Sequence, residues 1–427
     1  MEPRSEGGIT TWRKMGREAA RLGGFLGLKR STVGVLGMVV LVGMGERMGE
    51  RFLPIYLLGL GGGPLAIGLL QAMDNLLSAL YSFLGGYLSD RIGIKRSLMI
   101  FNLVAMVGFS FVILIPAWQA VLAGAVLFIS WSAISLPATI SLIYKVLPPN
   151  KRTMGVSMHS LVRRIPMALG PVLGGAFIGV WGERDGVRMA FGVALLMTLA
   201  ALVLQQRMIE EEMEERAQGS PCRQTHPQRS PFRLLGLMSP AMRTLLVADI
   251  LVRFCEQIPY AFVVVWCMKA IREPVTALQF GILTTIEMAT AVLVYIPVAY
   301  FADRSGKKPF VLTTFVFFTL FPLVLFWSQS FEWLIGAFIL RGLKEFGEPT
   351  RKALIMDFSP HPYKARMFGL YYLVRDLVVS VAAMGGAFLW HISPQANLLT
   401  ASLFGLTGTV GFALFGRDLA SSPREDL

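Results

Sequence analysis

Long apolar stretches alternate along this chain with short charged ones, with neither the period of two that marks a half-buried strand nor the one-sided stripe of a soluble helix. The apolar runs lie at about 32–59, 64–89, 96–116, 118–143, 153–181, 187–205, 244–268, 276–301, 309–327, 331–356, 366–390 and 395–416. A helix rises about 1.5 Å per residue, so roughly 20 residues cross a hydrocarbon layer of about 30 Å, and each run is of that order. Six runs precede and six follow the longest polar stretch, 206–242, which opens MIEEEMEERAQ and continues SPCRQTHPQRSP. The pattern predicts an all-α membrane protein of twelve transmembrane helices in two pseudo-symmetric six-helix bundles. The boundaries are a tail at 1–31, a first bundle at 32–205, a linker at 206–242, a second bundle at 243–416 and a tail at 417–427. The runs are called segments 1 to 12 below.

Segment 1 interrupts its own apolar pattern. GERMGERF, Gly45 to Phe52, puts Glu46, Arg47, Glu50 and Arg51 between STVGVLGMVVLVGM and LPIYLLGLG, neither of which spans a bilayer alone. These charges therefore lie at membrane depth, where charge is costly and normally faces protein or water.

Composition agrees with the membrane reading: of 427 residues 54% are hydrophobic and 16% charged, and the mean hydropathy is +0.58. The net charge of +13 is not a nucleic-acid signal, because its basic residues sit in short stretches between the apolar runs, with Arg13, Lys14, Arg17, Arg21, Lys29 and Arg30 ahead of the first. That bias predicts a multi-pass protein of the cell (inner) membrane with both termini cytoplasmic. The N-terminal stretch lacks a short apolar core followed by a small-residue cleavage site and reads as a retained tail. Cys222, Cys255 and Cys267 form no disulfide framework.

The halves repeat. GGYLSDRIGIKRS follows segment 2 and VAYFADRSGKKPF follows segment 8, with Asp90 and Asp303, and Gly93 and Gly306, each 213 apart. Asp74 maps onto Glu287 and Gly68 onto Gly281 at the same offset, Arg47 and Glu50 onto Arg253 and Glu256 at 206, and Arg164 and Gly174-Gly175-Ala176-Phe177 onto Arg375 and Gly385-Gly386-Ala387-Phe388 at 211. One duplicated six-helix unit explains all of these.

From about 32 to 416 these residues resemble the major facilitator superfamily. The string Gly86-x-x-x-Asp90-Arg91-x-Gly93-x-Lys95-Arg96 is similar to its signature loop, and Asp303-Arg304-x-Gly306-Lys307-Lys308 is the second copy, with Ala299 in place of Gly86. The resemblance implies two bundles rocking about a central cavity, with segments 3, 6, 9 and 12 as outer supports. It implies that Asp90 contacts the other bundle and helps lock one conformation; a solvated loop acid is the alternative. Gly170, Pro171, Gly174 and Gly175 in segment 5 resemble the signature of proton-coupled exporters, with Pro166 where a glycine is usual; close helix packing through small residues is the other reading.

Charge placement within the runs fits that architecture. Segments 3, 6, 9 and 12 carry no Asp, Glu, Lys or Arg in their interiors. At about 100° per residue, Asp249, Arg253 and Glu256 fall within about 60° of arc, Arg341, Lys344, Glu345 and Glu348 within about 100°, and the four charges of segment 1 within about 140°. An Arg and a Glu one turn apart offset each other's desolvation, so Glu46, Arg47, Arg51 and Lys344 read first as structural partners. Asp74 and Glu287 lack a basic residue one turn away on their own helices, and a lone carboxylate is costly to keep ionised in a low dielectric, which makes them the first proton-coupling candidates. Glu50 and Glu256 are the second. Arg163, Arg164, Arg341 and Arg375 suit an anionic group on a substrate, and Arg47, Asp249, Arg253, Glu345, Glu348 and Asp376 complete the candidate cavity.

The function expected is a secondary transporter of a small solute by alternating access, a proton-coupled antiporter acting in efflux. A symporter of an organic anion or peptide is the alternative: Glu50-Arg51-Phe52 resembles part of the peptide transporters' signature, but Arg47 stands where they carry Glu. From other classes, a membrane enzyme lacks support in the four histidines, which show no metal spacing or catalytic triad, and passive lipid scrambling fits poorly with so many cavity charges. The glycines of Gly59 to Gly63 read as a tight turn and not a phosphate loop. The expected partners are the solute, protons and the lipid bilayer, with no nucleic acid, no cofactor, no metal and a monomeric chain.

Overall fold

The computed structural model describes residues 30–128, 131, 135, 139, 162–208, 235–360 and 364–417. Every regular element among them is helical. Six of these helices are long and apolar enough to cross a membrane, seven if the bent pair Pro240–Tyr260 and Val263–Ala270 counts as one. One of the six, Arg164–Met208, is segments 5 and 6 together: at Gly182 the backbone leaves the helical region for φ 80°, ψ 172°, a conformation that glycine adopts without a Cβ clash.

Segments 1, 7 and 10 are each broken at their charged stripe. Segment 1 runs Arg30–Glu50, turns at Arg51 and Phe52, and resumes as Leu53–Gly59. Pro54 causes the break, since its ring meets the carbonyl of Glu50 four residues back and it has no N–H to donate. Segment 7 runs Pro240–Tyr260 with Pro259 inside its last turn, then continues as Val263–Val265 and one π turn, Trp266–Ala270. In segment 10, Phe331–Leu343 gives way to Glu348–Asp357, with Pro349 opening the second helix and the Gly347 amide donating to Thr314 Oγ1 at 2.5 Å. The prolines beside the charges thus divert the backbone where the polar stripes need room.

The duplicated loops have duplicated geometry. Gly93 has φ 89°, ψ 152° and Gly306 has φ 88°, ψ 157°, each closing one long helix, Gly63–Ile92 or Ala277–Ser305. The loop lysines repeat as well: Lys95 Nζ donates to the Gln206 carbonyl at 3.4 Å and Lys308 Nζ to the Ala413 carbonyl at 3.1 Å, so each cation sits at the C-terminal end of its bundle's last helix, where it is favoured. Arg91 is exposed and contacts Tyr87. The side chains of Asp90, Asp303 and Arg304, and the surroundings of Gly86, lie outside what is described.

The two halves meet along segments 2 and 11 and along segments 5 and 8. Contact is closest toward the end of the molecule that carries the Gly61 turn, through residues with little or no side chain. Gly68 faces Ala383 and Ala387, Gly175 faces Ala277 and Leu278, and Gly281 faces Pro171 and Val172. Phe52 and Phe280 close the seam edge to face at 5.9 Å between centroids. With lipid as the surrounding solvent, such packing and a few interhelical hydrogen bonds hold helices together; Thr285 Oγ1 donates to the Ala168 carbonyl at 2.7 Å and Asn75 to Gln257 at 3.2 Å, both across the seam.

Candidate functional site

The second bundle gathers its charges into one connected network. Arg341 Nε lies 3.4 Å from Glu287, and Lys344 Nζ 3.8 Å from Glu287 and 2.7 Å from Glu256. Arg253 joins Glu256 at 2.6 Å to Glu348 at 3.3 Å. Arg351 joins Glu348 to Asp249, both at 2.5 Å. Arg375 follows, 3.5 Å from Asp249 and 2.7 Å from Asp376, and the Tyr371 hydroxyl donates to Asp249 at 3.1 Å. Arg341, Lys344, Arg253, Arg351 and Arg375 face Glu287, Glu256, Glu348, Asp249 and Asp376, five cations against five anions. The network ties segments 7, 8, 10 and 11 together, and Lys352, with nearly half its side chain exposed, touches Glu348 at its edge. Asp249 and Arg351 are 0% and 1% exposed, so each depends on the other for compensation.

This overturns a premise of the sequence reading. Glu287 has no basic neighbour on its own helix, yet Arg341 and Lys344 reach it from segment 10, so it is not a lone carboxylate. The helical periodicity of one segment could not reveal partners supplied by another. Arg341 and Arg375 are likewise paired already and are not free to receive an anion, and Arg164 lies 3.7 Å from Glu345 across the seam. Arg163 has no ion pair among the described residues and stands at the edge of an undescribed stretch.

The first bundle is different. Arg47 Nη1 contacts Glu50 at 2.9 Å within segment 1, and Glu46 is buried. Asp74 is held only by neutral donors, Gln71 Nε2 and Ser78 Oγ, each at 3.4 Å, with no ion pair among the described residues. Arg51 has no carboxylate partner among them either; its guanidinium lies 5.3 Å from the centroid of the Tyr260 ring in the other bundle. Asp74 and Arg51 line one cleft between the bundles, together with Glu50, Gln71, Tyr260, Phe280 and Arg341. The small residues of segment 5 serve close approach: Gly170 packs on Arg47 and Met48, Gly174 on Met48 and Phe52.

Sequence reasoning passed over Arg351, Tyr371 and Tyr260. Arg351 follows Glu348 by three residues within segment 10 and was not counted with its charges. Tyr260, one turn past Glu256, carries no charge to mark it. Among the described residues no group of three or more His, Cys, Asp or Glu is arranged to hold a metal.

A family model described as Major Facilitator Superfamily matches residues 35–272 and again 245–426. The chain belongs to that superfamily. It is a transporter and not an enzyme. Among its relatives are an uncharacterized MFS-type transporter of Methanocaldococcus jannaschii, 27% identical over 112 residues, and a Na(+), Li(+), K(+)/H(+) antiporter of Planococcus maritimus, 30% identical over 129 residues. These matches take in 26% and 29% of this chain and 28% and 30% of the relatives, so less than a third of either relative is spanned. Among solved structures, a peptide transporter POT in complex with sulfate superposes with TM-score 0.73 at 14% identity, over 92% of this chain and 94% of its own. The nucleoside transporter NupG superposes with TM-score 0.74 at 12% identity, over 90% of this chain and 100% of its own. At such identities the likeness is one of fold.

Proposed function

We propose that this chain is a proton-coupled antiporter in which Asp74 carries the exchanged proton. One observation carries the reading: Asp74 is the acid lining the cleft between the bundles that no cation neutralises among the described residues, whereas Glu50, Glu256 and Glu287 are each paired. An uncompensated carboxylate at membrane depth binds a proton or a cationic group and has little tolerance for standing empty. Proton and solute then compete for one site, and competition for one site is what makes transport an exchange. The antiporter of Planococcus maritimus, though matched over a fraction of its length, supports the same reading. Glu287, proposed from sequence as the twin of Asp74, serves instead to neutralise Arg341 and Lys344.

In liposomes carrying an internal pH dye, Asp74→Asn should abolish solute-driven proton flux and weaken, without relocating, solute exchange, because the same carboxylate takes the solute. Glu287→Gln should lower the yield of folded protein and leave the coupling of the remainder intact. Full proton coupling in Asp74→Asn would remove the basis of the proposal. The basic tail and loops support an orientation with the Gly93 and Gly306 turns on the cytoplasmic side of an inner membrane, and efflux is the direction that goes with the antiport reading. Impermeant thiol labelling of cysteines introduced at Gly59 and Ser220 should find them on opposite sides, and labelling of both from one side would reverse that topology.

A further inference from the structure

The cleft holds two charges that make no close ion pair among the described residues: Asp74 on segment 2 and Arg51 at the break of segment 1, neither paired with the other. Every other charged side chain lining it has a partner of opposite sign, Glu50 in Arg47 and Arg341 in Glu287. Arg51 has its guanidinium carbon over the Tyr260 ring, 5.3 Å from the centroid. The contact with the Tyr260 ring is made by a cation over an aromatic face and supplies no carboxylate, the partner to which guanidinium N–H donors are suited. The charges behind Arg341 are already engaged with one another, each acid of that network being met by at least one base.

From this pairing of unanswered charges we infer that the solute is a zwitterion, its ammonium group taking Asp74 and its carboxylate taking Arg51. The inference rests on the antiport reading and adds the substrate class. A solute bearing both charges satisfies both residues at once. A simple cation leaves Arg51 unanswered and a simple anion leaves Asp74 unanswered, and each unpaired charge at this depth weakens binding. The ammonium group displaces the Asp74 proton, which links solute binding on one side to proton release on the same side, while the carboxylate contact takes no part in proton exchange. The cleft is narrow with the bundles closed at the Gly61 end, so the solute occupies it when they part.

The test uses ω-amino acids of four to eight carbons, their methyl esters, which keep only the ammonium, and their N-acetyl forms, which keep only the carboxylate, each as the driving solute in liposomes with an internal pH dye. At least one free amino acid should move protons with a half-saturating concentration about tenfold or more below that of its ester, the scale of one charge-assisted contact, and its N-acetyl form should move none. Arg51→Gln should bring the acid and its ester to within about twofold while proton movement by the ester persists, an outcome that a purely structural role for Arg51 does not give. An ester that equals its acid in the wild-type protein overturns the zwitterion assignment and leaves antiport standing, as does proton movement by alkylammonium ions with none by any amino acid. Proton movement by no compound of any charge overturns both.

Discussion

The two bundles descend from one pattern and solve the problem of buried charge in opposite ways. In the second, five acids and five bases from segments 7, 8, 10 and 11 form a connected network. In the first, the equivalent Arg47 and Glu50 pair locally, and Asp74, the counterpart of Glu287, keeps only amide and hydroxyl donors. The difference lies in segment 10: Arg341 and Lys344 reach the second-bundle acid, and its counterpart, segment 4, carries hydroxyls such as Ser135 and Thr139 instead of bases. Duplication thus leaves a half cross-linked by its own ion pairs beside a half whose acid, among the described residues, has neutral donors alone. On the function proposed above both halves have a use, since moving bundles need internal stiffness and an exchange site needs an unanswered charge.

Breaking the network should have the largest effect. Arg351→Met leaves Asp249, 0% exposed, with the longer contacts to Arg375 at 3.5 Å and Arg253 at 4.0 Å and with Tyr371. Removing one partner of a buried pair costs about 3–5 kcal/mol, because the other charge stays behind. Detergent-solubilised Arg351→Met should therefore melt well below the parent in a thermal unfolding assay. Arg47→Met in the first bundle, where both partners are 16–18% exposed, should shift the midpoint far less. Equal shifts would mean that the two halves do not differ in the way described.

The fold was legible in the sequence because membrane length, charge bias and a repeated DRxG loop each report on a global feature, and the matching φ and ψ of Gly93 and Gly306 show that the repeat extends to the backbone. The stripes on segments 1, 7 and 10 were legible for the same reason: a helix fixes the angles between its own residues. The partners across stripes were not. Whether Glu287 meets Arg341 depends on the distance and rotation between segments 8 and 10, which packing sets and no single-helix period encodes. The breaks after Glu50, at Ala261 and before Glu348 were signalled by Pro54, Pro259 and Pro349, residues that the apolar pattern absorbed without comment.

A smaller effect is expected at the seam. A Cβ on Gly281 would collide with the backbone of Pro171 and Val172, so Gly281→Val should hold segments 5 and 8 apart at the Gly61 end without touching either charge system. Transport should fall several-fold, and a cysteine replacing Phe280, 2% exposed in the parent, should gain reactivity toward an impermeant thiol reagent. Gly179 has open space where a Cβ would lie, and Gly179→Ala should behave as the parent in both measurements. If Phe280→Cys stays unreactive in the Gly281→Val background, the glycine contacts are not what closes that end.

The smallest effect is predicted for the ion pair that also bridges the halves there. Lys269 Nζ, in the π turn of segment 7, lies 2.5 Å from Glu183 between segments 5 and 6, with side chains 48% and 38% exposed. A pair so open to water contributes about 0–1 kcal/mol and is screened by salt, since the Debye length shrinks from about 8 Å at 0.15 M to about 3 Å at 1 M. Lys269→Ala should therefore change the transport rate by less than about threefold at 0.15 M, and by nothing measurable at 1 M, in the same liposomes. The glycine contacts a few residues away exclude water and have no such salt dependence, so Gly281→Val should lose the same fraction of activity at both concentrations. A salt-independent defect in Lys269→Ala would place the closing force in that pair and not in the packed seam beneath it, and the bundles would then be held together by charge at their rim as the second bundle is held together by charge within.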